Sequence, residues 1–205
     1  MKVGIFGGTF DPIHMGHLIL AEEARERLSL SKVLFIPTGH PWLKAGRPVS
    51  PGHHRLAMLN LAIEDNPSFE ASDIEIRRPG PTYTLDTLQE LRSAWGNGPE
   101  IYLLLGLDAL RDFPRWHEPR RILEQCILVG MARPGYLDFS PQSLEVVFPG
   151  ASQRLVLLHG PHIGISGTEI RRRVAMGISI RYWVPRSVEL YIYQQSLYRK
   201  GGGHE

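Results

Sequence analysis

Short apolar runs alternate along this chain with longer stretches in which apolar residues recur at helical spacing. Residues 2–6 (KVGIF) form the first run. From Met15 the apolar positions Leu18, Leu20, Ala21, Ala24 and Leu28 follow a rough helical period, so a strand hands over to a helix through Gly7 and Gly8. Residues 33–36 (VLFI) read as a second buried strand ended by Pro37. Ser50 before Pro51 reads as an N-cap followed by proline at the first helical position, opening a helix that runs to about Glu64. Residues 72–77 predict a third strand, with Ile74 and Ile76 facing one way and Asp73, Glu75 and Arg77 the other. The stretch RRPGPTYT (77–84) breaks regular structure, and a helix follows over 85–94 with Leu85, Leu88 and Leu91 on one face. Residues 101–105 (IYLLL) are almost wholly apolar, as expected of a central parallel strand covered on both sides. Short helical pieces are predicted over 107–111 and 120–125, and two more strands over 127–131 and 155–158.

This order of strand, connection and helix argues an α/β fold with a parallel sheet wound by right-handed crossovers. Ligands of such folds sit at the carboxyl ends of strands. With 205 residues the chain can bury one good-sized core. No linker or internal repeat divides it, so one domain is expected over residues 1–200, with GGGHE (201–205) as a disordered tail. A hydrophobic share of 42% with 21% charged residues is globular and argues against disorder. The formal net charge of +2 is too small to imply a nucleic-acid partner by bulk electrostatics, although a small anionic ligand remains compatible. Cys126 is the one cysteine, so no disulfide framework is expected and a reducing compartment is. Neither a leader nor a membrane span is legible, so a cytoplasmic enzyme is the expectation.

Candidate chemistry concentrates where the first strand meets its helix, in GGTFDPIHMGH (7–17). A helix start leaves backbone N–H groups unpaired and carries partial positive charge, which together suit an anion. His14 and His17, spaced i to i+3, project from one side of that start, and Gly16 between them lets a ligand approach the backbone. Two histidines at this spacing also suit a metal, but no third ligand follows nearby, so no protein metal site is predicted. The loop 38–49 is long for a strand-to-helix connection and holds two cations, Lys44 and Arg47. Late in the chain, ISGTEIR (165–171) pairs Ser166 with Glu169 at capping-box spacing, which predicts a second helix start with free N–H groups at Gly167 and Thr168.

The first string resembles the HxGH motif of the nucleotidyltransferase superfamily, whose members share a Rossmann-like parallel sheet with helices on both faces. The second resembles its ISSTxIR motif, with Gly167 where a second serine is common. GPTYTLDTLQELR (80–92), LLLGLDAL (103–110) and FPRW (113–116) are similar to one branch, the bacterial nicotinate-nucleotide adenylyltransferases, and the likeness runs to about Tyr198. That resemblance implies transfer of AMP from ATP to nicotinate mononucleotide, with release of pyrophosphate, in NAD biosynthesis. Mg²⁺ would accompany the ATP. It implies that His14, His17 and Lys44 act in catalysis. Gly7, Gly8, Thr9 and Phe10 would join the histidines on ATP, with Ser166, Thr168 and Arg171 holding the terminal phosphates. For nicotinate mononucleotide it implies Lys44, Thr84, Gly106, Asp108, Trp116 and His117. Trp116 would stack on the pyridine ring, Thr84 and the amides near Trp116 and His117 would hold its carboxylate, and Asp108 would lie beside the sugar.

Trp42 and Leu43 precede Lys44 where the family often has Pro-His, so Arg47 is its alternative. Phosphopantetheine or nicotinamide mononucleotide is the alternative acceptor. Phosphopantetheine adenylyltransferases lack the GPTYT and FPRW elements, and class I aminoacyl-tRNA synthetases need a KMSKS-like loop that this chain lacks. A homo-oligomer is compatible with the sequence, and neither nucleic acid nor membrane is an expected partner.

Overall fold

The computed structural model describes residues 1–39, 49–96, 98–132, 139–161 and 163–199. Lys44, Arg47 and the tail 201–205 lie outside the described residues. Six strands form one parallel sheet: β1 (Lys2–Gly8), β2 (Lys32–Pro37), β3 (Phe69–Ala71), β4 (Glu100–Gly106), β5 (Ile127–Ala132) and β6 (Leu155–His159). Their spatial order is β3-β2-β1-β4-β5-β6, so β1 and β4 are neighbours at the centre. Residues 101–105 are all buried in β4, which explains their unbroken apolar character.

Helices cover both faces. On one, α1 (Met15–Leu28), α2 (Gly52–Ile63), α8 (Gly167–Ala175) and α9 (Arg186–Gln194) bury Leu20, Met58, Ile170 and Val188 against the sheet. On the other, α4 (Thr84–Trp95), α5 (Leu107–Asp112), α6 (Pro119–Gln125) and α7 (Pro141–Val147) bury Leu88, Leu110, Ile122 and Leu144. The two cores share only the sheet. No helix among the described residues is long and apolar enough to cross a membrane.

Two local expectations are corrected. The third strand is Phe69–Ala71, and α3 (Ile74–Arg77) is a single helical turn. The Ser72 hydroxyl accepts from the Ile74 N–H at 3.3 Å, a side-chain contact that draws the backbone out of the ladder. As a result Glu75 is buried instead of facing solvent. Ser50 does not cap α2. Pro51 takes that position, while the Ser50 N–H donates to Asp11 Oδ2 (3.2 Å) and its carbonyl accepts from Arg55 Nε (2.9 Å). Tertiary partners have claimed the residue that local propensity assigned to the helix.

Helix α1 ends in a Schellman turn, with the Leu30 N–H on the Arg25 carbonyl at 2.9 Å and Leu30 buried beneath. Exposed Ser29 carries the left-handed conformation at φ 53°. That conformation costs a non-glycine residue about 1–2 kcal/mol, against about 0.4–1 kcal/mol for the extra unfolded-state freedom of glycine. Ser29→Gly is therefore expected to raise stability by about 0.5–1 kcal/mol. A higher urea midpoint at unchanged slope checks it; a lower midpoint contradicts it.

Candidate active site

Strand β1 delivers its last residues, Gly7 and Gly8, to the carboxyl edge of the sheet, where the chain turns through residues 9–14 into α1. A Cβ on Gly8 would stand 3.0 Å from the Phe10 ring, and that ring packs edge-on to Phe6 and His17 at 5.6 and 5.1 Å. Phe10 is 2% exposed, so it supports the turn from within the core. His14 is the N-cap of α1. Its ring stacks on His17 with centroids 3.6 Å apart and planes at 20°. The His14 N–H meets His17 Nδ1 at 3.3 Å, which places the ring proton of neutral His17 on Nε2. Gly16 also has a steric role. A Cβ there would lie 3.1 Å from His14 Nδ1 and 3.3 Å from Ile163, so the missing side chain makes room for the His14 ring.

The expected second helix start is present. Ser166 caps α8, its Oγ accepting from the Glu169 N–H at 3.2 Å. Arg171 reaches back across the gap: Nη1 donates to the Asp11 carbonyl (2.5 Å) and Nη2 to Thr168 Oγ1 (3.3 Å). Between the β1–α1 turn and α8 lies a cavity of about 290 Å³, walled by Thr9, His14, His17, Gly167, Thr168 and Arg171. Ser166 stands behind this wall as the cap. The two motifs, some 150 residues apart in sequence, thus face one space.

A second cavity of about 230 Å³ opens on the α4 side of β1. Thr84, Trp116 and His117 line it together with Tyr83, whose ring lies 4.5 Å from that of His117. Trp116 packs against Phe113 (5.5 Å), and its buried Nε1–H has no hydrogen-bond partner among the described residues. Gly7, Gly8 and Thr9 also line this cavity, and Gly8 and Thr9 line both, so the end of β1 is a shared wall. Gly106 and Asp108 are not brought in. They stand at the β4–α5 junction outside both linings, the Asp108 carboxylate being 89% exposed and 3.9 Å from Arg111. Asp108 faces solvent here because Ala109, the next residue on α5, is the one turned to the cavity.

Four residues around these cavities carry no signal in the sequence. Asp11 accepts from Tyr198 Oη (2.6 Å) and from Ser50 N–H, pinning the β1–α1 turn to the far end of the chain. Burial and the Asp11 carboxylate push the Tyr198 phenol far up, so it stays a donor. Arg55, 2% exposed, donates to the carbonyls of Thr9 (2.9 Å), Ser50 (2.9 Å) and Gly39 (3.5 Å), and burial draws its guanidinium below the usual range. Glu75 lines the second cavity, and burial raises its carboxyl above the usual range. Asp11, Arg55 and Tyr198 read as surface or core residues from spacing alone, and alternation had placed Glu75 outside.

Residues 5–173 match the cytidylyltransferase-like family. A protein of Thermomicrobium roseum named a probable nicotinate-nucleotide adenylyltransferase is 50% identical over 198 residues, 97% of this chain and 92% of that one. The chain belongs to the nicotinate-nucleotide adenylyltransferases. A second relative of the same name, from a Roseiflexus species, is 52% identical over 198 residues, covering 96% and 98% of the two chains. The fold is similar to that of a Plasmodium falciparum nicotinic acid mononucleotide adenylyltransferase solved with NaAD, at TM-score 0.78 and 20% identity over 96% of this chain and 97% of that one. Both cavities lie at the crevice where the strand order reverses.

Gly167 has acquired a steric reason. A Cβ there would stand 2.9 Å from the Asp11 carbonyl, the same oxygen that Arg171 holds. Sequence reasoning alone expects Gly167→Ser to be tolerated, since serine is common at that place in the superfamily; the structure expects it to push the β1–α1 turn. Gly167→Ser and Gly16→Ala should each lower kcat/KM for ATP by about tenfold or more, the scale of a displaced catalytic group. Steady-state kinetics at saturating acceptor, with circular dichroism to check folding, would show it. Wild-type efficiency in either would contradict the packing described.

Proposed function

We propose that the chain joins ATP and nicotinate mononucleotide into nicotinate adenine dinucleotide and pyrophosphate, with the triphosphate in the cavity between α1 and α8 and the pyridine ring in the cavity under α4. The observation that carries this reading is the shared wall. Gly8 and Thr9 border both cavities, so a phosphate entering from one side meets a phosphate entering from the other at the end of β1.

The chemistry needs little from the protein beyond charge and alignment. An oxygen of the acceptor phosphate, ionised at neutral pH, bonds to the α-phosphorus as the bond to the bridging oxygen of the β-phosphate breaks. The electron pair leaves with pyrophosphate. No general base is required. Negative charge grows on the α-phosphoryl and bridging oxygens, and preorganised donors aimed there lower the barrier. His17 Nε2–H, the His14 ring, the N–H groups at Gly167 and Thr168 and the Arg171 guanidinium supply them. Lys44, or Arg47 in its place, would add a cation on the acceptor side.

Among the described residues no three His, Cys, Asp or Glu side chains group closely enough to hold a metal ion, and the Asp11 carboxylate is taken by Ser50 and Tyr198. A divalent cation would accompany the triphosphate as part of the substrate. Mg²⁺ suits that role because it keeps several waters and uses phosphate oxygens. In the second cavity, Trp116 would stack on the pyridine ring, and Thr84 and the amides beside His117 would receive its carboxylate. Gly106 and Asp108 lie outside the lining of both cavities, so the resemblance alone assigns them to the acceptor sugar.

Pyrophosphate release from ATP, measured with the acid and amide mononucleotides in parallel, tests the reading. The acid should win by about 30- to 1,000-fold in kcat/KM, because the amide strands a buried donor against the donors of the site. Equal efficiencies would refute the carboxylate site. His17→Ala should lower kcat by about 10²- to 10³-fold with little change in ATP affinity. Near-normal turnover would remove His17 from the mechanism.

A further inference from the structure

Glu75 lies in the wall of the second cavity, 9% exposed, beside the aromatic side chains of Tyr83 and Trp116. Its Oε1 accepts from Thr87 Oγ1 at 2.9 Å, and the Thr82 hydroxyl and Gly39 N–H are its other partners. Among the described residues no cation forms an ion pair with it. Arg78 Nη1 donates to Thr87 Oγ1 (2.9 Å) and its Nη2 pairs with Glu90 (2.7 Å), so Arg78 makes no direct bond to Glu75 and acts on it through its field. Arg55 on α2 spends its N–H groups on three carbonyls and acts on Glu75 only through its field. His117 lies on the same wall, packed on Tyr83. A buried carboxylate satisfied by hydroxyls and an amide, with no ion pair among the described residues, carries a standing desolvation cost.

An occupant bringing positive charge without N–H donors would offset that cost. The acceptor proposed above has this character: its ring nitrogen, bonded to the ribose, is a quaternary pyridinium whose charge is spread over the ring. We propose that Glu75 is a specificity-determining residue that selects acceptors by the positive charge of their ring. The inference rests on the acceptor reading above and deepens it. Glu75 attracts the ring and repels its carboxylate, so one residue also sets which way round the ring sits. The Trp116 face adds a weaker cation–π attraction of the same sign.

The test uses a matched pair of ligands: nicotinate mononucleotide and an uncharged analogue in which a carboxyphenyl ring, joined through carbon, replaces the pyridinium. Phosphate, ribose and carboxylate are common to both, so their titration cancels in the ratio of affinities. Calorimetry on the full chain should show the pyridinium preferred by about tenfold or more, the scale of one buried charge contact. In Glu75→Gln that ratio should fall to about two- to threefold, the share of stacking on Trp116, while affinity for an unreactive ATP analogue stays within about twofold. An unchanged ratio in Glu75→Gln, or no preference in the wild type, overturns the proposal. Should the variant fail to fold, wild type alone decides. Protonation of Glu75 removes the attraction, so the ratio should decline as pH falls through the range of this raised carboxyl, and a pH-independent ratio overturns the proposal. Absence of turnover with the acid would bring down the acceptor reading and this proposal together. Normal turnover with an unchanged ratio would bring down this proposal alone.

Discussion

Between β1 and β4 the crossovers of this chain change from one face of the sheet to the other, and the reversal leaves a crevice that no helix closes. After β1 the chain leaves through α1 to one side. After β3 it crosses back through α4 to the opposite side and returns as β4, next to β1. Parallel strands force such long connections, and right-handed crossovers fix which face each takes. The end of β1 is thereby flanked by a cavity on each side, with only Gly8 and Thr9 between them. Direct phosphoryl transfer needs this arrangement, because donor and acceptor must approach from two directions and meet at one phosphorus.

Irregular backbone at such a crevice cannot rely on the ladder for its hydrogen bonds, and here buried polar side chains replace it. Asp11 links the β1–α1 turn to Ser50 and to Tyr198, which lies 187 residues further on, and Arg55 ties the carbonyls of Thr9, Ser50 and Gly39 to one guanidinium. Each of these groups is costly to bury alone and tolerable only when its partners are all present. The turn that carries His14 is thus held in part by Arg55 and Tyr198, which line neither cavity. Arg171 joins the two halves of the phosphate cavity by the same means, through the Asp11 carbonyl.

Strand and helix order was legible because it rests on periodicity: the apolar run in β4, the period of α1 and the N-cap at Ser166 all hold in the structure. Histidine and serine motifs were legible because their spacing is local. What failed was decided by distant partners. Ser50 obeys Asp11 and Arg55 instead of its own helix, and Glu75 turns inward because Ser72 ends β3 early. Gly167 looked like a lost hydroxyl in the sequence and is a clearance for the Asp11 carbonyl in the structure. The Asp108 carboxylate is 89% exposed, outside the linings of both cavities.

The central claim is that the α-phosphoryl group passes directly across the Gly8–Thr9 wall, without resting on either histidine. The stereochemical course at phosphorus tests it most directly. With ATP made chiral at the α-phosphorus by sulfur substitution, one in-line displacement predicts inversion of configuration in the dinucleotide product. Retention would require two successive displacements through an enzyme-bound intermediate, and would contradict the account.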